Sequence, residues 1–60
     1  MQNSYIKIML TDNTVVYQVV QNGCVMHHVD ETGNYLYDTI PIGIGSWVID
    51  GSPEVQPWMV

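Results

Sequence analysis

The sequence predicts an all-β fold, an antiparallel meander of four to five strands that forms a small open barrel or a curled sheet. Three observations predict this class. Val, Ile, Thr and Tyr are abundant and alanine is absent. Apolar and polar residues alternate along several segments, and turn signals recur about every ten residues. No segment carries the apolar periodicity of an amphipathic helix.

The first predicted hairpin joins residues 4–10, SYIKIML, to residues 14–21, TVVYQVVQ. The segment TDNT between them predicts a turn, with Asp12 and Asn13 at its two central positions. This register places Ile8 opposite Tyr17. A four-residue loop would keep the same residues on one face, whereas a three-residue loop would not.

The second hairpin is predicted from Asn22-Gly23, because both residues tolerate the positive φ angles of a type I′ turn. It joins the second strand to residues 24–29, CVMHHV. Directly opposed residues share a face, and the two turns agree on one core face. The residues predicted there are Ile6, Ile8, Leu10, Val15, Tyr17, Val19, Cys24, Met26 and His28.

A fourth strand is predicted over residues 35–44, YLYDTIPIGI, after a turn at DETGN. Ile40, Ile42 and Ile44 would lie on one side of it. Pro41 cannot donate to a ladder, so the segment should lie at a sheet edge or a strand switch. Residues 47–50, WVID, predict a short fifth strand.

These strands predict one small β domain over residues 1–51, followed by an extended tail over residues 52–60. The tail, SPEVQPWMV, contains two prolines and ends in apolar residues. Because chain ends are usually polar and loosely held, Trp58 should either dock on its own sheet or insert into another subunit.

Size and charge exclude several classes of protein. A chain of 60 residues buries only about 60% of its unfolded surface and often needs additional stabilisation. A single cysteine excludes an internal disulfide. The net charge of −5, with Lys7 as the one fixed cation, argues against direct nucleic-acid binding. No apolar run reaches the roughly 18 residues of a membrane span.

No signal peptide is predicted, because the first apolar run has no A-x-A-like cleavage site after it, and with a free thiol we expect a cytoplasmic location. The absence of Arg and Ala, with frequent Asn, Gln, Met and Val, gives it the composition of a small virus-encoded or accessory protein. For a viral protein the location would be the host cytoplasm or the virion.

Cys24, Met26, His27 and His28 are the residues that most resemble a chemical site. The first two share the predicted core face with His28, and thiolate, thioether and imidazole ligands suit copper(I). Cysteine and methionine are also ordinary core residues, and adjacent strand residues such as the two histidines point to opposite faces. Core packing is the favoured interpretation, so no metal or cofactor is predicted. Cys24 or Ser46 with a histidine matches no catalytic arrangement.

The predicted function is therefore non-enzymatic: a protein–protein interaction module that acts as a homo-oligomer or as a small accessory or structural subunit of a larger assembly. The second sheet face is half apolar, which usually marks an interaction surface, unless the last strands curl over it. Trp58 would anchor the tail. The predicted interface residues are Tyr5, Met9, Val16, Val20, Val25, Val29, Trp58 and Met59.

The alternative is a small acidic inhibitor that binds and blocks a host protein or a nucleic-acid-binding enzyme. Asp30, Glu31 and Asp38 would contact that partner. Most of the acidic residues lie in turns, however, where Asp has a local structural role.

Overall fold

In the computed structural model, which describes residues 3–50 and 55–59, these residues form five β-strands and no helix. The strands are β1 Ser4–Leu10, β2 Val15–Gln21, β3 Cys24–Val29, β4 Tyr35–Tyr37 and β5 Ser46–Asp50.

The strands form one antiparallel sheet in the order β4-β3-β2-β1-β5. The first four strands follow one another as a meander, whereas β5 pairs with β1 at the opposite edge from β4. The predicted all-β meander is therefore confirmed, and the sheet is open rather than closed into a barrel.

The Asn22-Gly23 turn is as predicted. The φ angles of the two residues are 53° and 79°, so both lie in the left-handed region that a type I′ turn requires. The pairs nearest this turn are also the predicted ones, Gln21 with Cys24 and Val20 with Val25.

The first turn is one residue longer than predicted. The N–H of Asn13 donates to the carbonyl oxygen of Leu10 at 2.9 Å, and the N–H of Leu10 donates to the carbonyl oxygen of Thr14 at 2.8 Å. Residues 11–13 therefore form a three-residue loop. Asn13 has a φ angle of 71°, which is the left-handed conformation that closes such a loop.

The longer loop makes the predicted β1–β2 register wrong. Ile8 pairs with Val16 instead of Tyr17. Because side chains alternate between faces, a shift of one residue moves every β2 side chain to the other face. Val16 is fully buried beside Ile8, although it was predicted to lie on the outer face.

A β-bulge makes the predicted β2–β3 register wrong beyond Val25. Val19 pairs with His27, and Met26 is the extra residue between the two regular parts of β3. A bulge reverses the alternation beyond it, so His28 shares a face with Gln18 rather than with Tyr17. Cys24 and Met26, which were predicted to be in the core, are both exposed.

Both faces of the sheet consequently carry a small buried cluster. The isoleucine face contains Ile8, Leu10 and Val16, and the tyrosine face contains Tyr17, Val19 and Val29. Splitting the apolar residues between two faces leaves each cluster small, so both need covering by other parts of the chain.

Residues 38–45 cover the isoleucine face. The predicted fourth strand was too long, because β4 ends at Tyr37 and the chain then crosses to the other edge of the sheet. Ile40 and Ile44 pack on the buried cluster, but Ile42 lies fully exposed. It occupies a turn in which the N–H of Ile44 donates to the carbonyl oxygen of Pro41 at 3.2 Å.

Candidate interaction surface at the edge of β5

The strand β5 forms one edge of the sheet, and among residues 3–50 and 55–59 it has a strand neighbour on one side only. Its register with β1 places Met9 opposite Trp47 and Ile8 opposite Val48. Trp47 therefore belongs to the tyrosine face and Val48 to the isoleucine face.

The hydrogen bonds of β1 determine which β5 backbone groups point outward. Leu10 directs both its N–H and its C=O to the β2 side, where they bond to Thr14 and Asn13. Thr11, in contrast, donates its N–H to the carbonyl oxygen of Gly45 at 2.9 Å. Hydrogen-bonded and non-hydrogen-bonded pairs alternate along an antiparallel ladder. Trp47 is therefore bonded to β1, while Ser46 and Val48 direct their N–H and C=O groups to the open side.

The side chains of the same strand are apolar and exposed. Trp47, Val48 and Ile49 are 50%, 60% and 42% exposed. Three consecutive exposed apolar residues on an edge strand, without a lysine or a proline among them, form the kind of edge to which another strand adds.

The opposite edge is protected. The strand β4 has only three residues, and short edge strands offer little backbone for pairing. The Tyr35 hydroxyl donates to the Asp38 carboxylate at 2.8 Å, which raises the pKa of Tyr35. The carbonyl oxygen of Asp38 accepts from Nδ1 of His28 at 3.2 Å, so the chain turns away from this edge immediately after β4.

A bulge limits the regular part of β5. Ile49 is the extra residue between Val48, which pairs with Ile8, and Asp50, which pairs with Lys7. Bulges bend a strand and increase its twist. The straight part of the open edge therefore ends at Val48.

The structure does not bring the predicted interface residues together on one face. Tyr5, Met9 and Val29 belong to the tyrosine face, whereas Val16, Val20 and Val25 belong to the isoleucine face. Val16 and Val29 are buried, whereas Val25 is about half exposed. The longer β1–β2 loop and the β3 bulge therefore divide the predicted interface residues between the two faces of the sheet.

Trp58 docks on its own sheet, which was one of the two predicted alternatives. Its ring makes edge-to-face contacts with Tyr5 and Tyr17 at centroid distances of 5.3 and 5.5 Å. Its indole N–H donates to the carbonyl oxygen of Glu31 at 3.0 Å. Met59 packs beside it on the buried cluster of the tyrosine face, so this part of the tail acts as a cover.

His28 is held in the sheet by two hydrogen bonds. Its Nδ1 lies 3.2 Å from the carbonyl oxygen of Asp38, and its Nε2 lies 3.3 Å from the side-chain nitrogen of Gln18. Among the described residues, no three His, Cys, Asp or Glu side chains are grouped to hold a metal ion.

The predicted acidic contact residues lie in and after the β3–β4 turn. The Asp30 carboxylate accepts bonds from Thr32, through both its hydroxyl and its N–H, and from the N–H of Asn34. These bonds, the Thr32 side chain foremost, lower the pKa of Asp30. Glu31 is exposed, and Asp38 accepts the Tyr35 bond, so two of the three carboxylates have structural roles.

Sequence reasoning did not select Trp47, Val48 and Ile49 as interface residues. It predicted the fifth strand but could not place it, because the strand order depends on where residues 38–45 cross the sheet. The sequence signal that could have indicated an exposed binding edge is a tryptophan in a short apolar strand, with no charged residue at positions 46–49.

Comparison with known proteins found no similarity: no family model matches the chain, and no curated protein or solved structure matches it significantly. Within residues 3–50 and 55–59, no helix is long and apolar enough to cross a membrane. The geometry of the chain itself must therefore support any functional inference.

Proposed function

We propose that this chain is a non-enzymatic protein–protein interaction module that binds another protein chain by strand addition at the edge of β5. The supporting observation is that outward N–H and C=O groups at Ser46 and Val48 coincide with the exposed side chains of Trp47, Val48 and Ile49. In strand addition, main-chain bonds supply affinity and alternate side chains supply specificity.

The small size of the domain fits this mode of binding. Within the described part of the chain, each buried cluster contains three apolar residues, and a domain with a small core benefits from extending its sheet into a partner. The same edge could serve a homo-oligomer or a small structural subunit of a larger assembly.

The placement of the reactive side chains supports a non-enzymatic role. Both ring nitrogens of the buried His28 are hydrogen-bonded within the chain, and the ring of His27 lies against that of Tyr35. Cys24 is exposed beside the Asn22-Gly23 turn. A general base must reach a substrate proton directly or through one water, and the engaged nitrogens of His28 offer no such access.

The acidic-inhibitor alternative is less well supported. Asp30 and Asp38 are engaged by Thr32, Asn34 and Tyr35, so their carboxylates stabilise the turns that contain them. Binding through these charges would weaken with added salt. It would be abolished by Asp30→Lys and Glu31→Lys and unaffected by changes in β5.

A peptide library displayed on phage tests strand addition without a known partner. Wild-type protein should select extended peptides with alternating apolar residues. The test variant is Val48→Pro, because it removes an outward N–H while leaving the β1–β5 bonds in place. The control is Val48→Thr, which keeps the N–H and a β-branched side chain.

Selected peptides should bind Val48→Pro at least about tenfold more weakly than wild type or Val48→Thr. Amide exchange should slow at Ser46 and Val48 on binding, but not at Trp47, which is already bonded to β1. Peptides that bind Val48→Pro as tightly as wild type would show that the edge of β5 is not the binding site.

A further inference from the structure

We propose that the edge of β5 pairs with β5 of a second copy of this chain, antiparallel, with the two Trp47 residues facing each other across a two-fold axis. This inference rests on the proposed function, and it specifies the partner and the register.

The backbone pattern favours an axis at Trp47. Ser46 and Val48 are the residues of the regular part of β5 whose N–H and C=O groups point outward. An axis at Trp47 pairs Ser46 of each copy with Val48 of the other. All outward groups of this stretch are then satisfied by about four hydrogen bonds, and the bulge at Ile49 lies outside the paired stretch.

The same register gives the exposed indole a partner. Trp47 would form the central non-hydrogen-bonded pair, in which the two Cα atoms lie about 4.5 Å apart and the side chains are closest. Both rings lie on the tyrosine face and are half exposed in the single chain. Aromatic pairs across strands stabilise a sheet beyond their buried area.

The charge distribution favours an antiparallel arrangement. The strands β1 and β3 run in the same direction, because both are antiparallel to β2. The turns that follow them, which contain Asp12, Asp30 and Glu31, therefore lie at one end of the sheet. Antiparallel pairing of β5 places these acidic ends at opposite ends of the joined sheet, whereas parallel pairing would place them side by side.

The size of the contact predicts a weak dimer. A stable interface buries about 800 Å² on each partner, and three paired residues on each strand cover less than that. Each copy also carries a charge of −5, so the copies repel each other at low ionic strength. Self-association should therefore require high protein concentration and should strengthen as salt is added.

Sedimentation equilibrium of the full chain tests the partner. The average mass should rise from one chain towards two between about 10 µM and about 1 mM, and the apparent dissociation constant should fall at least about threefold between 20 mM and 500 mM NaCl. Val48→Thr should behave like wild type. A single-chain mass throughout this range would overturn the inference.

Cross-linking tests the register and does not depend on a proline variant folding. In a Cys24→Ser background, Trp47→Cys should form an intermolecular disulfide, because about 4.5 Å between Cα atoms is within disulfide range. The matched control is Ile49→Cys, which is similarly exposed. In the proposed register, the cysteines at position 49 of the two chains would lie about 13 Å apart along the strands. Equal cross-linking at both positions would contradict an axis at Trp47.

The two proposals fail in different ways. If the chain stays monomeric but binds the selected peptides, and Val48→Pro weakens that binding, self-pairing is overturned and strand addition is not. If the chain stays monomeric and Val48→Pro leaves peptide binding unchanged, both proposals are overturned.

Discussion

The indole N–H of Trp58 donates a hydrogen bond of 3.0 Å to the carbonyl oxygen of Glu31, which joins the tail to the β3–β4 turn. The face of the indole lies against the backbone of Gly33, where a Cβ atom would come within 2.7 Å of the ring. The tail is therefore held by a specific contact that only glycine at this position permits.

Replacing Gly33 by alanine should reduce the free energy of unfolding more than replacing Gly23 does. Both glycines have positive φ, at 91° and 79°, so each alanine pays about 1–2 kcal/mol of backbone strain. Only Gly33→Ala also displaces Trp58, because nothing lies within 4 Å of a Cβ at Gly23. Urea denaturation should show an additional loss of about 1 kcal/mol for Gly33→Ala.

The Trp58→Ala background provides the control for this comparison. Because Trp58 is only partly buried, removing its ring should itself reduce stability by about 2 kcal/mol, and the two glycine variants should then lose similar amounts. If the additional loss at Gly33 persists without Trp58, the contact is not its cause.

Val16→Ala should destabilise the chain more than Val15→Ala. Val16 is fully buried in one cluster with Ile8 and Leu10, whereas Val15 is only partly buried. Removing two buried methyl groups and leaving a cavity should reduce the free energy of unfolding by about 2 kcal/mol, against less than about 1 kcal/mol at Val15. Urea midpoints measure both. A larger loss of stability for Val15→Ala than for Val16→Ala would instead support the register predicted from sequence.

The neutral imidazole of His28 should carry its proton on Nδ1. The carbonyl oxygen of Asp38 can only accept a hydrogen bond, so Nδ1 must donate to it. Nε2 is then the acceptor for the side-chain amide of Gln18. Long-range ¹H–¹⁵N spectra distinguish the two tautomers directly, and a proton on Nε2 alone would contradict this arrangement.

Removing the partner of Nε2 gives a second test of the same contact. Gln18→Met should leave a buried acceptor without a donor and reduce stability by about 1–3 kcal/mol. Urea midpoints of wild type and Gln18→Met measure this loss, and equal midpoints would show that the contact contributes no stability.

Asp30 should make the stability of the chain depend on acidic pH. Hydrogen bonds from Thr32 and Asn34 lower the pKa of Asp30 in the folded state below its ordinary value of 3.8. The unfolded state therefore binds the proton more readily. The contribution of the carboxylate is fully present above that ordinary value and is lost as pH falls through the folded pKa.

Urea midpoints measured from pH 6 to pH 2 for wild type and Asp30→Asn would isolate this contribution. Asparagine keeps an acceptor oxygen but does not titrate, so the difference in midpoint should shrink as pH falls. A difference that stays constant across the range would exclude Asp30 as a source of the pH dependence.

The all-β class and the Asn22-Gly23 hairpin turn could be predicted from the sequence. Strong β propensity, the absence of alanine and regular turn signals are local properties, and the Asn22-Gly23 pair specifies its turn because few residues accept two positive φ angles. The docking of Trp58 could be predicted only as one of two alternatives, because an apolar chain end requires a contact but does not specify which one.

Which residues share a face depends on tertiary contacts that local sequence does not specify. One additional loop residue, Thr11, and one bulge at Met26 each moved a strand by a single position, and a single position exchanges the two faces. Local sequence barely distinguishes these alternatives, since Val15 and Val16 are chemically identical. Ile40 and Ile44 cover one face of the sheet and Trp58 covers the other, and this packing selects the register. The position of β5 was decided in the same way, because packing of residues 38–45 on the isoleucine face carries the chain to the edge of β1.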